Sequence, residues 1–96
     1  MISIKRRNSF QIDGNEFAII KKELEDNKDL WDSDYYYSFA IERFNKAVIS
    51  WVDKDYRISL DLLRDLKYVC PADFDLTKID LIVTILQAKS EALQVR

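Results

Sequence analysis

The chain has no histidine, and only one cysteine, one glycine, one proline and one methionine among its 96 residues. Without histidine there is no Ser-His-Asp or Cys-His nucleophilic pair and no imidazole metal site. Cys70 alone can neither close an intramolecular disulfide nor build a zinc site, so nothing demands an oxidising compartment. It is read as an inert thiol on an apolar arc beside Pro71. A single glycine leaves no phosphate-cradling loop. No run approaches the ~18 apolar residues of a membrane span, and residues 1–7 lack the apolar stretch of a signal peptide. Together these absences argue against an enzyme, against any cofactor or bound metal, and for a soluble cytoplasmic protein.

The scarcity of glycine and proline also bears on fold. Sheet-rich proteins spend such residues at many tight turns, so a few long helices are expected in their place. Ninety-six residues, 48% of them hydrophobic and 12% aromatic, suit one globular domain spanning 1–96. The formal net charge of -2 makes a dedicated nucleic-acid or membrane-surface binder unlikely as a class. Charge is nevertheless segregated. Lys5, Arg6 and Arg7 stand in a stretch without acids, whereas Glu23, Glu25, Asp26, Asp29, Asp32 and Asp34 share their segment with Lys28 alone.

Residues 2–12 alternate apolar and polar around that basic centre, which predicts a short β-hairpin or an extended arm. Asp13, Gly14 and Asn15 then form a turn signal. Helical spacing of Phe17, Ile20 and Leu24 predicts a helix over 16–26, with Asn15 as its N-cap. A second helix over 33–52 carries the stripe Tyr37, Ala40, Ile41, Phe44, Ala47, Val48 and Trp51. A third, over 56–70, places Ser59, Leu62, Leu63, Leu66, Val69 and Cys70 on one arc and ends before Pro71. The last, from 77 to about 93, opens with a capping-box pattern of Thr77 and Asp80. The expected fold is therefore all-α, an antiparallel bundle of about four helices with a minor N-terminal arm or hairpin.

Stepping 100° per residue separates the core-facing side chains from the remainder. Tyr35 and Phe39 point away from the stripe of the second helix, with Tyr36 at its edge and Asp29, Trp31, Asp32 and Asp34 beside them. Tyrosine and tryptophan dominate interface hot spots, and carboxylates at a rim steer a basic partner. These seven residues are the candidate partner-binding site. The last helix bears two apolar stripes; one of them, Leu81, Ile85 and Ala88, is a candidate homodimer face. Asp73, Asp75 and Thr77 match the first alternating positions of a calcium loop. Lys78 stands where that loop needs glycine and Thr84 where it needs the bidentate glutamate, so the match fails. The fourth helix would offer a DNA groove Ile79, Leu81, Ile82, Val83 and Ile85, which excludes base reading. A nucleic-acid contact would rest on Lys5, Arg6 and Arg7, and three charges supply few phosphate contacts.

Residues 40–47, with Ala40, Phe44 and Ala47, and residues 55–66, with Tyr56, Ser59, Leu63 and Leu66, resemble the second helix of a tetratricopeptide repeat. Their leading small residues, Ala40 and Ser59, stand 19 residues apart, shorter than that family's period, and the resemblance implies antiparallel helix packing. The acidic tyrosine segment 32–37 is similar in composition to the toxin-facing surfaces of small bacterial immunity proteins. That resemblance implies an inhibitor that covers the basic active site of a nuclease toxin.

Overall fold

A computed structural model describes residues 12–95, with the side chains of Leu93, Gln94 and Val95 left undescribed. Among the described residues there are four α-helices and no strand: α1 (Gly14–Asp26), α2 (Asp34–Val52), α3 (Tyr56–Val69) and α4 (Thr77–Val95), with a 3-10 turn (Lys28–Leu30) between α1 and α2. The all-α bundle is thus present. The hairpin or arm expected over 2–12 lies outside the described residues except for Ile12, which is buried in the core.

Helix α1 starts two residues earlier than the spacing predicts. Asp13, not Asn15, is the N-cap: its Oδ1 accepts the backbone N–H of Asn15 at 3.0 Å and of Glu16 at 3.3 Å. A charged carboxylate there satisfies two orphan donors and also faces the positive end of the helix dipole. At the other end Asn27 closes the helix, its backbone N–H and its Nδ2 both donating to the Glu23 carbonyl.

Helices α2 and α3 form the most extensive contact in the molecule. Small residues explain how close they come. Ala40 and Ala47 on α2 and Ser59 on α3 are all fully buried, and Ser59 Oγ–H donates to the Ala47 carbonyl at 2.8 Å. A side chain as short as serine reaches a neighbouring helix's backbone only where nothing bulky intervenes. The larger members of the expected stripe (Tyr37, Ile41, Val48 and Trp51) flank this line and stay partly exposed.

The third layer is α4. Its stripe Ile79, Ile82, Val83 and Leu86 is buried against α3 and α1, meeting Leu60, Leu63 and Leu66 from one side and Phe17, Ile20 and Leu24 from the other. Phe17 also packs at 5.0 Å on Trp51 and at 6.0 Å on Phe44, tying α1 to α2. Exposed ion pairs, Lys67 with Asp80 and Lys78 with Glu23, decorate these contacts. At such exposure each contributes only about 0–1 kcal/mol, so burial of the apolar core carries the fold.

The α3–α4 connection departs from the capping-box expectation. Asp80 does not cap; its carboxylate pairs with Lys67 across the helices. The acid serving the start of α4 is Asp75, which accepts the Thr77 N–H at 3.0 Å and the Thr77 hydroxyl at 2.7 Å. Those two bonds hold its carboxyl below the usual carboxylate range. Cys70 is extended (φ −66, ψ 141), as the residue before Pro71 must be.

Candidate functional site

The 3-10 turn Lys28–Leu30 decides which members of the acidic aromatic segment face water. Leu30 N–H donates to the Asn27 carbonyl and Trp31 N–H to the Lys28 carbonyl, so the chain curls tightly after α1. Asp29 is exposed on this turn and Trp31 is turned inward. At 9% exposure Trp31 belongs to the core, its ring edge-on to Tyr37 at 5.9 Å. It therefore supports the surface from beneath and is not itself a contact residue. Its indole N–H is buried without an acceptor among the described residues.

Ser33 then caps α2. Its Oγ accepts the Tyr35 N–H at 3.0 Å and its carbonyl accepts the Tyr37 N–H at 3.1 Å. Asp34 opens the helix at the positive end of its dipole. With the first turn fixed, three consecutive tyrosines spread over about 200° of arc. Tyr37 turns inward, where burial and then the charge of Glu25 push its phenol pKa up; Lys28 Nζ lies 5.2 Å from its ring centre. Tyr35 and Tyr36 turn outward, 71% and 51% exposed. Their rings meet edge-to-face at 5.4 Å, so Tyr35 pairs with its neighbour and not with Phe39 one turn on.

Phe39 is half-buried beneath the Arg43 guanidinium, 4.5 Å above its ring. Arg43 Nε lies 3.7 Å from Asp65 on α3, near enough for ionic attraction and too far for a hydrogen bond. These contacts fix the register of two antiparallel helices: Arg43 opposite Asp65, Ala47 opposite Ser59. One turn towards the head of α2 is thus one turn towards the tail of α3, which brings Phe39 level with Tyr68. Tyr68 is 91% exposed, the most solvent-facing large hydrophobic residue among the described residues. Sequence reasoning missed it. The available signal was an aromatic residue falling outside the apolar arc of α3.

The assembled surface is therefore Tyr35, Tyr36 and the edge of Phe39. Asp29, Asp32 and Asp34 rim it, all exposed and none in an ion pair among the described residues. Tyr35 and Tyr36 supply large rigid contact area with one polar tip each. Three formal negative charges within six residues supply a field that attracts cations.

On the second candidate face, Leu81 is 55% exposed and Ala88 is exposed, whereas Ile85 is buried at 8% and faces the core. The expected three-residue stripe thus loses its middle member to the core. Ile19 of α1, 48% exposed, stands in its place, and the two helices frame a cavity of about 160 Å³ lined by Glu16, Ile19, Ile20, Lys78, Leu81 and Ile82.

Among the described residues no helix is long and apolar enough to cross a membrane, and no three His, Cys, Asp or Glu side chains cluster as metal ligands would. Comparison with protein-family models, with curated proteins and with solved structures gives no match. The likeness to tetratricopeptide helices and to immunity proteins accordingly rests on local composition alone.

Proposed function

We propose that this chain is a non-enzymatic, cytoplasmic protein-binding module, an inhibitor or immunity-type protein that covers a basic site on a partner such as a nuclease toxin. One observation carries the reading. Tyr35 and Tyr36 are exposed as a paired aromatic unit within an ion-pair-free acidic rim, while the adjacent Tyr37 and Trp31 meet the needs of the core. The fold has no use for the outward pair. In this reading Asp29, Asp32 and Asp34 accelerate encounter with a positive surface, and Tyr35, Tyr36 and Phe39 set the lifetime of the complex. Cys70, whose thiol burial pushes up to about 12, is not a reactive thiolate near neutrality in this reading.

The test is calorimetric titration of a purified basic protein encoded beside this chain, using wild type and a Tyr35→Ala, Asp34→Ala double variant. Loss of an anchor tyrosine costs at least ~1–2 kcal/mol of binding. Equal affinity of the double variant would refute the reading. Self-association is a second reading, favoured by the exposed Ile19 and Leu81 around their shared cavity. A sedimentation coefficient of a monomer at micromolar concentration disposes of it.

A further inference from the structure

A separate feature lies between α3 and α4, away from the acidic aromatic surface. Arg57 and Arg64 project from the same side of α3, two turns apart, over a cavity of about 250 Å³ completed by Leu60, Gln87, Ser90 and Glu91. The polar groups around it are partly organised. Arg64 Nη2–H donates to Gln87 Oε1 at 3.0 Å, and Gln87 Nε2–H donates to Glu91 Oε2 at 3.3 Å. The relay engages the one carboxylate of the cavity from its side and orients Arg64 across the opening. It uses a single N–H of Arg64, leaving the others of its five donors for a ligand.

Two further donors lack work. Arg57 is in no ion pair among the described residues. Ser90 is 94% buried (6% exposed), lines the cavity, and is in no side-chain hydrogen bond among the described residues. Its hydroxyl lines the cavity, where a ligand can replace water as its acceptor. The cavity holds two guanidinium groups against one carboxylate, a net formal charge of one positive. Forked donors of this kind match planar or tetrahedral oxygen anions.

We propose that this cavity binds a small oxyanion, a phosphate monoester or a carboxylate, between the Arg57 and Arg64 guanidinium groups, with Ser90 Oγ–H as the third donor. Glu91 lies at the edge of the site and repels further negative charge, which favours one small anion over an extended polyanion. The site is independent of the partner-binding reading, since no residue is shared.

Nuclear magnetic resonance of the full chain tests it, following the Arg57 and Arg64 Nε–H signals and the Ser90 amide. Inorganic phosphate and acetate are titrated separately, at ionic strength held constant with sodium chloride. Saturable shifts at all three residues with phosphate identify a phosphate site, and with acetate a carboxylate site. The Arg57→Gln and Arg64→Gln variants, both at exposed positions that the core does not use, each weaken the response by about tenfold, as loss of a charge-assisted hydrogen bond predicts. Circular dichroism checks that they remain folded. Shifts that neither anion saturates beyond the chloride control, or a wild-type response in the Arg57→Gln, Arg64→Gln double variant, overturn the proposal.

Discussion

The bond from Ser59 to the Ala47 carbonyl gives the sharpest test of how this fold is held together. Consider Ser59→Ala. The position is fully buried and the bond is 2.8 Å long. In a regular helix the Ala47 carbonyl also accepts the Trp51 N–H, so removing the serine does not orphan it. The loss is then the net value of one hydrogen bond, about 1 kcal/mol, without the additional 1–3 kcal/mol of a stranded buried acceptor. For a domain of this size that lowers Tm by about 4–8 °C. Ser59→Val answers a different question, because it adds bulk where Ala40 and Ala47 leave no slack. Overpacking of that kind costs about 1–3 kcal/mol, on top of the lost bond. Urea denaturation followed by far-ultraviolet circular dichroism gives both numbers. The expected order is wild type, then alanine, then valine. If Ser59→Ala is neutral, or if valine exceeds alanine in stability, the two helices are not in the close apposition from which the argument starts.

Three other outcomes follow from the structure. Tyr35→Ala and Tyr36→Ala leave stability within about 0.5 kcal/mol, as exposed substitutions do, whereas Trp31→Ala costs about 3–5 kcal/mol through the cavity it opens; the same denaturation series separates them. Lys54 ends α2 with φ 68, and the bonds from Lys54 N–H to Trp51 and from Asp55 N–H to Ser50 complete a Schellman turn. That left-handed position suits glycine, so Lys54→Gly raises stability by about 0.5–1 kcal/mol, and a lower denaturation midpoint would contradict it. Burial pushes the Cys70 thiol up to about 12, with Lys67 opposing weakly. Since the folded value lies above the unfolded one, the stabilisation is complete below the ordinary thiol range near pH 8.5 and is lost as pH rises towards about 12. A Cys70→Ala variant should lack that alkaline decline, and the native thiol should react with a disulfide reagent far more slowly than the unfolded chain.

The helices were legible because their apolar spacing is long and regular. Phe17, Ile20 and Leu24 of α1, and Leu63 and Leu66 of α3, are buried where the pattern puts them. What periodicity does not convey is which neighbour crosses where. Ala40 and Ala47 are more deeply buried than Ile41, Val48 or Trp51 because α3 crosses at the small residues, a long-range fact. The same limit hid the loss of Ile85 to the core and the level at which Tyr68 faces Phe39. Ser33 caps α2 as its residue type suggests, but two other caps were misplaced for a local reason: Asp13 competes with Asn15, and Asp75 with Thr77 and Asp80, for the same few N–H groups, and composition does not rank them. Within the candidate site, 100° steps alone turned Tyr35 away from the core stripe; its exposure did not follow, because α1, the Leu30–Trp31 loop or the N-terminal arm could equally have covered it. The inward turn of Trp31 did not follow either, because it depends on the 3-10 turn ahead of it.

The boundary between Tyr36 and Tyr37 also has an evolutionary consequence. On one side of a single peptide bond lie residues that the core does not need; on the other lies a ring packed on Trp31. Positions 29, 32 and 34–36 can therefore drift under selection for a different partner without passing through unstable intermediates. Tyr37, Trp31 and the Ser33 cap act as a fixed hinge about which that variation turns. Variant libraries confined to the outer positions should keep almost every member folded, so new specificity can be reached one substitution at a time.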